Sequence, residues 1–132
     1  MSRRVDPAAV RAAMADVADW LLRADAPEPE PARLALAVRL TARALAARAP
    51  GASVEVRIPP YVAVQCLPGP RHTRGTPANV VETDPGTWLR LAAGLERFDH
   101  AVQAGTLRVS GSRAAELASW FPLARLDDND SG

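Results

Sequence analysis

Lysine is missing from this sequence. All sixteen basic residues are arginines, set against fifteen acidic ones, so the net charge is only +1. Binding to nucleic acid or to an anionic membrane by long-range attraction needs a strong basic excess, and the balance here excludes it. Cysteine is nearly missing too. Cys66 stands alone, which rules out an internal disulfide and fits a reducing, cytoplasmic setting. No apolar run approaches the roughly 20 residues that cross a bilayer, so no integral membrane association is expected. The start, Met1-Ser2-Arg3-Arg4-Val5-Asp6-Pro7, has two arginines without an apolar stretch behind them. It does not read as a signal peptide.

The signatures of enzymes are also lacking. There is no G-x-S-x-G elbow, no H-E-x-x-H and no C-x-x-C. Two histidines without a carboxylate or thiol at ligand spacing give no metal site. Cys66 with His72 as its base is a conceivable nucleophilic pair. Cys66, however, falls on the apolar side of an alternating segment, where cysteine behaves as a small core residue. His100 follows Asp99 directly, and adjacent helix positions do not face each other. The expectation is a protein with no catalytic residue, no metal and no cofactor.

What is present is an ordinary globular composition, 48% hydrophobic and 23% charged over 132 residues, enough for one domain. Asp6-Pro7 pairs a capping carboxylate with a proline at the first helical position. Val10, Met14, Val17 and Leu21 then recur at helical spacing, predicting a helix over Asp6–Arg23. Three prolines between Ala26 and Pro31 form a stiff linker. A second helix is predicted over Ala32–Arg48, with Leu34, Val38, Thr41 and Leu45 on one face, widened by Leu36 and Leu40. Pro50-Gly51 stops it.

The period then changes to two. Val54, Val56 and Ile58 alternate with Glu55 and Arg57, the pattern of a half-buried strand. Tyr61–Leu67 is a second strand with Val62, Val64 and Cys66 on one side. Pro68–Ala78 is a polar loop, and Asn79–Thr83 a third strand. Asp84-Pro85 repeats the capping pair and opens a helix with Trp88, Leu91, Ala92 and Leu95. A short helix over Glu96–Ala104 meets Gly105, and Thr106–Ser110 is a fourth strand. Ser112–Phe121 reads as a last helix with Leu117, Trp120 and Phe121 on one face, ended by Pro122. The order implies an α+β fold with a small mixed sheet covered by helices. One domain is expected over 1–126, with N-terminal helices in 7–48, sheet and further helices in 53–123, and a disordered acidic tail at 127–132.

Within the polar loop, Arg71, His72 and Arg74 together with two hydroxyls form a possible anion contact; the alternative is a solvated loop. Val80-Val81-Glu82-Thr83-Asp84-Pro85-Gly86-Thr87-Trp88-Leu89-Arg90-Leu91-Ala92-Ala93-Gly94 resembles a signature of the sterol carrier (non-specific lipid-transfer) proteins, in which a strand ends in Thr/Ser-Asp and an aromatic- and leucine-bearing helix follows. Phe98 to Gly111 is similar to a second signature, a short helix, a glycine, an apolar strand and another glycine. The likeness is to short actinobacterial members of that family and covers about Val80–Phe121.

The resemblance implies helices over one face of a five-stranded sheet with an apolar tunnel between them, whereas only four strands are read in this sequence, so four to five are expected. It implies binding of an apolar small molecule or lipid, such as an acyl chain or sterol. Carried over by position, Leu91, Leu95, Phe98, Val102, Leu107, Val109, Leu117, Trp120 and Phe121 would line that tunnel. The sequence departs from the family pattern in its extra N-terminal helix and in the loop where a strand is expected. An interaction or accessory domain that keeps the fold without the cavity therefore stands beside the carrier.

Overall fold

A computed structural model describes residues 5–70 and 78–126. The first capping pair works as its chemistry predicts. Asp6 accepts the Ala8 amide at 3.0 Å, and Pro7 opens α1 (Pro7–Asp16). The single helix expected over Asp6–Arg23 is instead two. Val17 leaves helical geometry at φ −112°, ψ 8°, and α2 (Ala18–Leu22) restarts at once. The break costs little, because the Val17 amide still bonds the Met14 carbonyl at 3.2 Å and the Leu21 amide the Val17 carbonyl at 3.2 Å. Val10, Met14, Val17 and Leu21 are all buried across it.

The long helix α3 (Pro31–Arg48) buries Leu34, Val38, Thr41 and Leu45. Leu40 is half-buried, whereas Leu36, expected to widen the apolar face, is 52% exposed. Arg33 from α3 grips Asp16 of α1 with two guanidinium nitrogens, tying the two helices together at the surface.

Four strands form the sheet among the described residues, in the order β2 (Val62–Cys66), β1 (Val54–Ile58), β3 (Val80–Thr83), β4 (Leu107–Ser110). The outer pairs are antiparallel, and β1 runs parallel to β3. The register puts Val56 opposite both Val64 and Val81, Val81 opposite Val109, and Thr83 opposite Leu107. Those residues make the inner face, against which the helices pack. The alternate positions make a wet outer face, where Glu82 meets Arg108 at 2.8 Å and Arg57 at 3.9 Å. One dry and one wet face is what the two-residue alternation requires of an antiparallel-edged sheet. The fold is thus α+β with an open four-stranded sheet, as the alternation of helical and strand patterning implies.

Asp84 repeats the cap more strongly. Its carboxylate accepts the Thr87 amide at 3.0 Å and the Thr87 hydroxyl at 2.7 Å at the start of α4 (Pro85–Ala93). Burial pulls the Asp84 carboxyl upward, but these two bonds prevail and hold it below its ordinary range. Trp88, fully buried, donates from Nε1 to the Thr41 hydroxyl at 2.7 Å. Thr41 in turn donates back to the Ala37 and Val38 carbonyls of its own helix. That relay satisfies the polar atoms of a tryptophan deep in an apolar core, where an unpaired N–H costs about 1–3 kcal/mol.

After α5 (Phe98–Ala104) and β4, the last helix differs from expectation. Residues Ala114–Trp120 form a 3-10 helix rather than an α-helix over Ser112–Phe121. Asn79, a residue with no evident role in the sequence, anchors its entry. Its side-chain oxygen accepts the Arg113 amide at 2.9 Å while its amide nitrogen donates to the Ser53 carbonyl at 3.1 Å. Gly111 makes this approach possible: its φ is +89°, and a Cβ there would lie 2.3 Å from the Asn79 oxygen. One hydrophobic core joins α1, α2, α3, the sheet's inner face, α4 and the 3-10 helix.

Candidate functional site

A 3-10 helix has three residues per turn, so side chains at i and i+3 lie in line. That period sorts the last helix into three rows, of which Glu116 and Ser119 form an exposed one. Ala114 and Leu117 are buried and Trp120 half-buried, forming the row turned to the core. Ala115 and Ala118 are exposed, and with Phe121 they form the row turned to a cleft. An α-helical reading puts Leu117, Trp120 and Phe121 on one face. The 3-10 geometry separates Phe121 from the other two.

The cleft holds about 510 Å³, within the range of pockets that take small organic ligands. Leu91 from α4, Phe98 from the start of α5, and Ala115, Ala118, Phe121 and Pro122 give it apolar walls. Glu96, Arg97, Asp99 and Arg125 supply the charged groups. Arg97 Nη2 pairs with Asp99 at 3.2 Å, and Glu96 accepts the Arg97 amide at 3.1 Å.

The wall beyond Phe121 is held by backbone. The Leu123 and Ala124 amides donate to the Ala92 carbonyl at 2.8 and 2.9 Å, and the Leu126 amide to Ala93 at 3.0 Å. These bonds satisfy carbonyls that the end of α4 leaves free. Gly94 permits the close approach. It sits at φ +81°, and a Cβ there would meet Pro122 at 3.3 Å and an Arg125 nitrogen at 3.4 Å.

Of the nine residues that the resemblance placed around one tunnel, Leu91, Phe98 and Phe121 meet in this cleft. Leu107 and Leu117 lie in the packed core, and Val109 is half-buried on the inner face of β4. Trp120 is half-buried on the row away from the cleft. Leu95 and Val102 are 37% and 40% exposed. Arg71, His72 and Arg74 lie outside the described residues. Sequence reasoning missed Ala115 and Ala118. Their spacing of three from Phe121 was the available signal, and it identifies them only once the helix is known to be 3-10.

The remaining chemistry is sparse. Cys66 is fully buried, and burial pushes its thiol up to about 11, so the nucleophilic thiolate is suppressed at neutral pH. His100 is exposed on α5. Among the described residues no three His, Cys, Asp or Glu side chains gather as a metal site would need. Nor is any described helix long and apolar enough to cross a membrane.

No curated protein matches the chain. A family described as bacterial SCP ortholog matches residues 30–123. That span runs from the start of α3 through β4 and the 3-10 helix and leaves α1 and α2 outside it. Since the match takes in well over half of the sequence, all four described strands and every cleft residue but Arg125, the chain belongs to this bacterial sterol carrier protein family.

Proposed function

We propose that the protein binds and carries an apolar ligand of lipid type, with one end of that ligand held in the cleft between α4, α5 and the 3-10 helix. The observation that carries this reading is the cleft itself. Its walls of Leu91, Phe98, Ala115, Ala118 and Phe121 open to solvent in a member of the sterol carrier family. Each methylene buried there contributes about 0.8 kcal/mol, so apolar walls alone give useful and unselective affinity. The role is non-catalytic, supported by the buried, high-pKa thiol of Cys66, and its setting is the cytoplasm, in line with a lone reduced cysteine.

The experiment is to fill the cleft. Ala118 is exposed, so Ala118→Trp adds bulk to the pocket without entering the core. Displacement of a fluorescent apolar dye by fatty acids should weaken at least tenfold, with an unchanged melting temperature. Equal binding by both proteins would refute the site.

A second reading, an interaction domain without a ligand, draws on Leu22 and Leu36, which are 57% and 52% exposed. It predicts that neither protein binds any acyl chain, and that Leu36→Glu weakens association with a protein partner.

A further inference from the structure

We infer that Phe121 is a partition between the cleft and the buried Trp88, and that its ring sets how far an apolar chain penetrates; this rests on the carrier reading above. Phe121 lines the cleft and is half-buried. Its ring meets Trp88 edge to face, with centroids 5.4 Å apart and planes at 82°. On another side it leans on Phe98 at 6.2 Å and 33°. Trp88 is fully buried.

Phe98, the other half-buried ring in the wall, leans on Phe121 rather than on Trp88. Leu91 is 1% exposed and fixed within α4, while Ala115 and Ala118 have nothing to move. Phe121 follows the 3-10 helix in an extended conformation at φ −97°, ψ 150°, and its ring is only partly enclosed. Interiors are close-packed, so a chain goes deeper only where a side chain yields. Turning or removing the Phe121 ring joins the cleft to the Trp88 ring.

The test measures chain-length preference in the full-length protein. Straight-chain fatty acids of about 8 to about 16 carbons displace an apolar dye from wild type, Phe121→Ala and Phe121→Trp. If the ring is the partition, the long-to-short affinity ratio rises about tenfold in Phe121→Ala, the gain from about two further buried methylenes. The ratio falls in Phe121→Trp, which fills the same position more fully. Acrylamide quenching of Trp88, read in a Trp20→Phe, Trp120→Phe background, rises in Phe121→Ala. Phe121→Trp keeps an aromatic ring at the site, so its arm decides the matter should Phe121→Ala fail to fold. Binding by all three proteins with one unchanged ratio overturns the partition and leaves the carrier reading standing. No displacement by any chain from any of the three overturns the carrier reading and the partition together.

Discussion

Trp88 and Trp120 belong to the same helical layer and are treated in opposite ways. Trp88 is fully enclosed, its side chain's only polar atom is paired with Thr41, and Phe121 packs against it in a T-shaped pair. Trp120 ends a short 3-10 helix and is half-buried, with no comparable aromatic contact among the described residues. The first marks a region solidified around α3, α4 and β1. The second marks a region where α5, the 3-10 helix and the chain beyond Phe121 border a cleft open to solvent. Trp88 anchors the enclosed side of this layer, and the cleft proposed to take a ligand lies on the other side of Phe121. Stability need not be uniform across a structure, and binding regions are drawn from its weaker end.

The largest effect should come from the solid end. Trp88→Ala removes the biggest fully buried side chain and leaves the Thr41 hydroxyl without its donor, so chemical denaturation should show a loss of about 3–5 kcal/mol. Trp120→Ala should cost less than about 2 kcal/mol, because the truncated side chain was only partly packed. Equal losses at the two sites would break the comparison outright. Fatty-acid titration should alter the tryptophan fluorescence of the wild type. The Trp120→Ala response should persist if Trp88, behind Phe121, is the reporter, and be muted if Trp120 is.

Those contrasts also explain what was legible in the sequence. The capping pairs Asp6-Pro7 and Asp84-Pro85 act within one turn, and both appear as read. Alternation in Val54–Ile58 fixed which side of the strand faces inward, because a period of two leaves no third choice. The helical spacing over Asp6–Arg23 hides the break at Val17, since a one-residue break keeps the apolar spacing on both sides intact. The cleft was harder still. A period of 3.6 residues per turn puts Leu117, Trp120 and Phe121 on a single stripe. Whether ten residues between Gly111 and Pro122 wind as α or 3-10 depends on distant partners. Asn79 holding the Arg113 amide at the entry is one such partner.

Asp84 links the cap to the solid end by pH. Its pKa is lowered from the ordinary 3.8 despite the opposing pull of burial, through the bonds from Thr87. A carboxyl with a depressed folded-state pKa stabilises the fold fully above its unfolded value, and that contribution is lost as pH falls through the folded value. Asp84→Ala should therefore cost about 1 kcal/mol at neutral pH, as removal of an N-cap does. The deficit relative to wild type should shrink as pH falls below the ordinary carboxylate range. A deficit that stays constant down to the acid transition would show that α4 is held by packing around Trp88 alone.

The smallest effect belongs to the rim of the open end. Arg97 and Asp99 pair at 3.2 Å with side chains 76% and 62% exposed. In that setting water screens the attraction, and holding two long side chains together offsets most of what remains. Arg97→Ala should change stability by less than about 0.5 kcal/mol, and raising the salt concentration should leave the wild-type melting temperature almost where it was. Near-silence in stability makes the rim a clean place to ask about ligands. If the cleft takes a chain with an anionic end, Arg97→Ala weakens fatty-acid displacement and leaves displacement by an uncharged alcohol of equal length unchanged. A stability loss approaching that of Trp120→Ala would instead show that the rim braces the fold, and the division between a solid end and an open end would no longer hold.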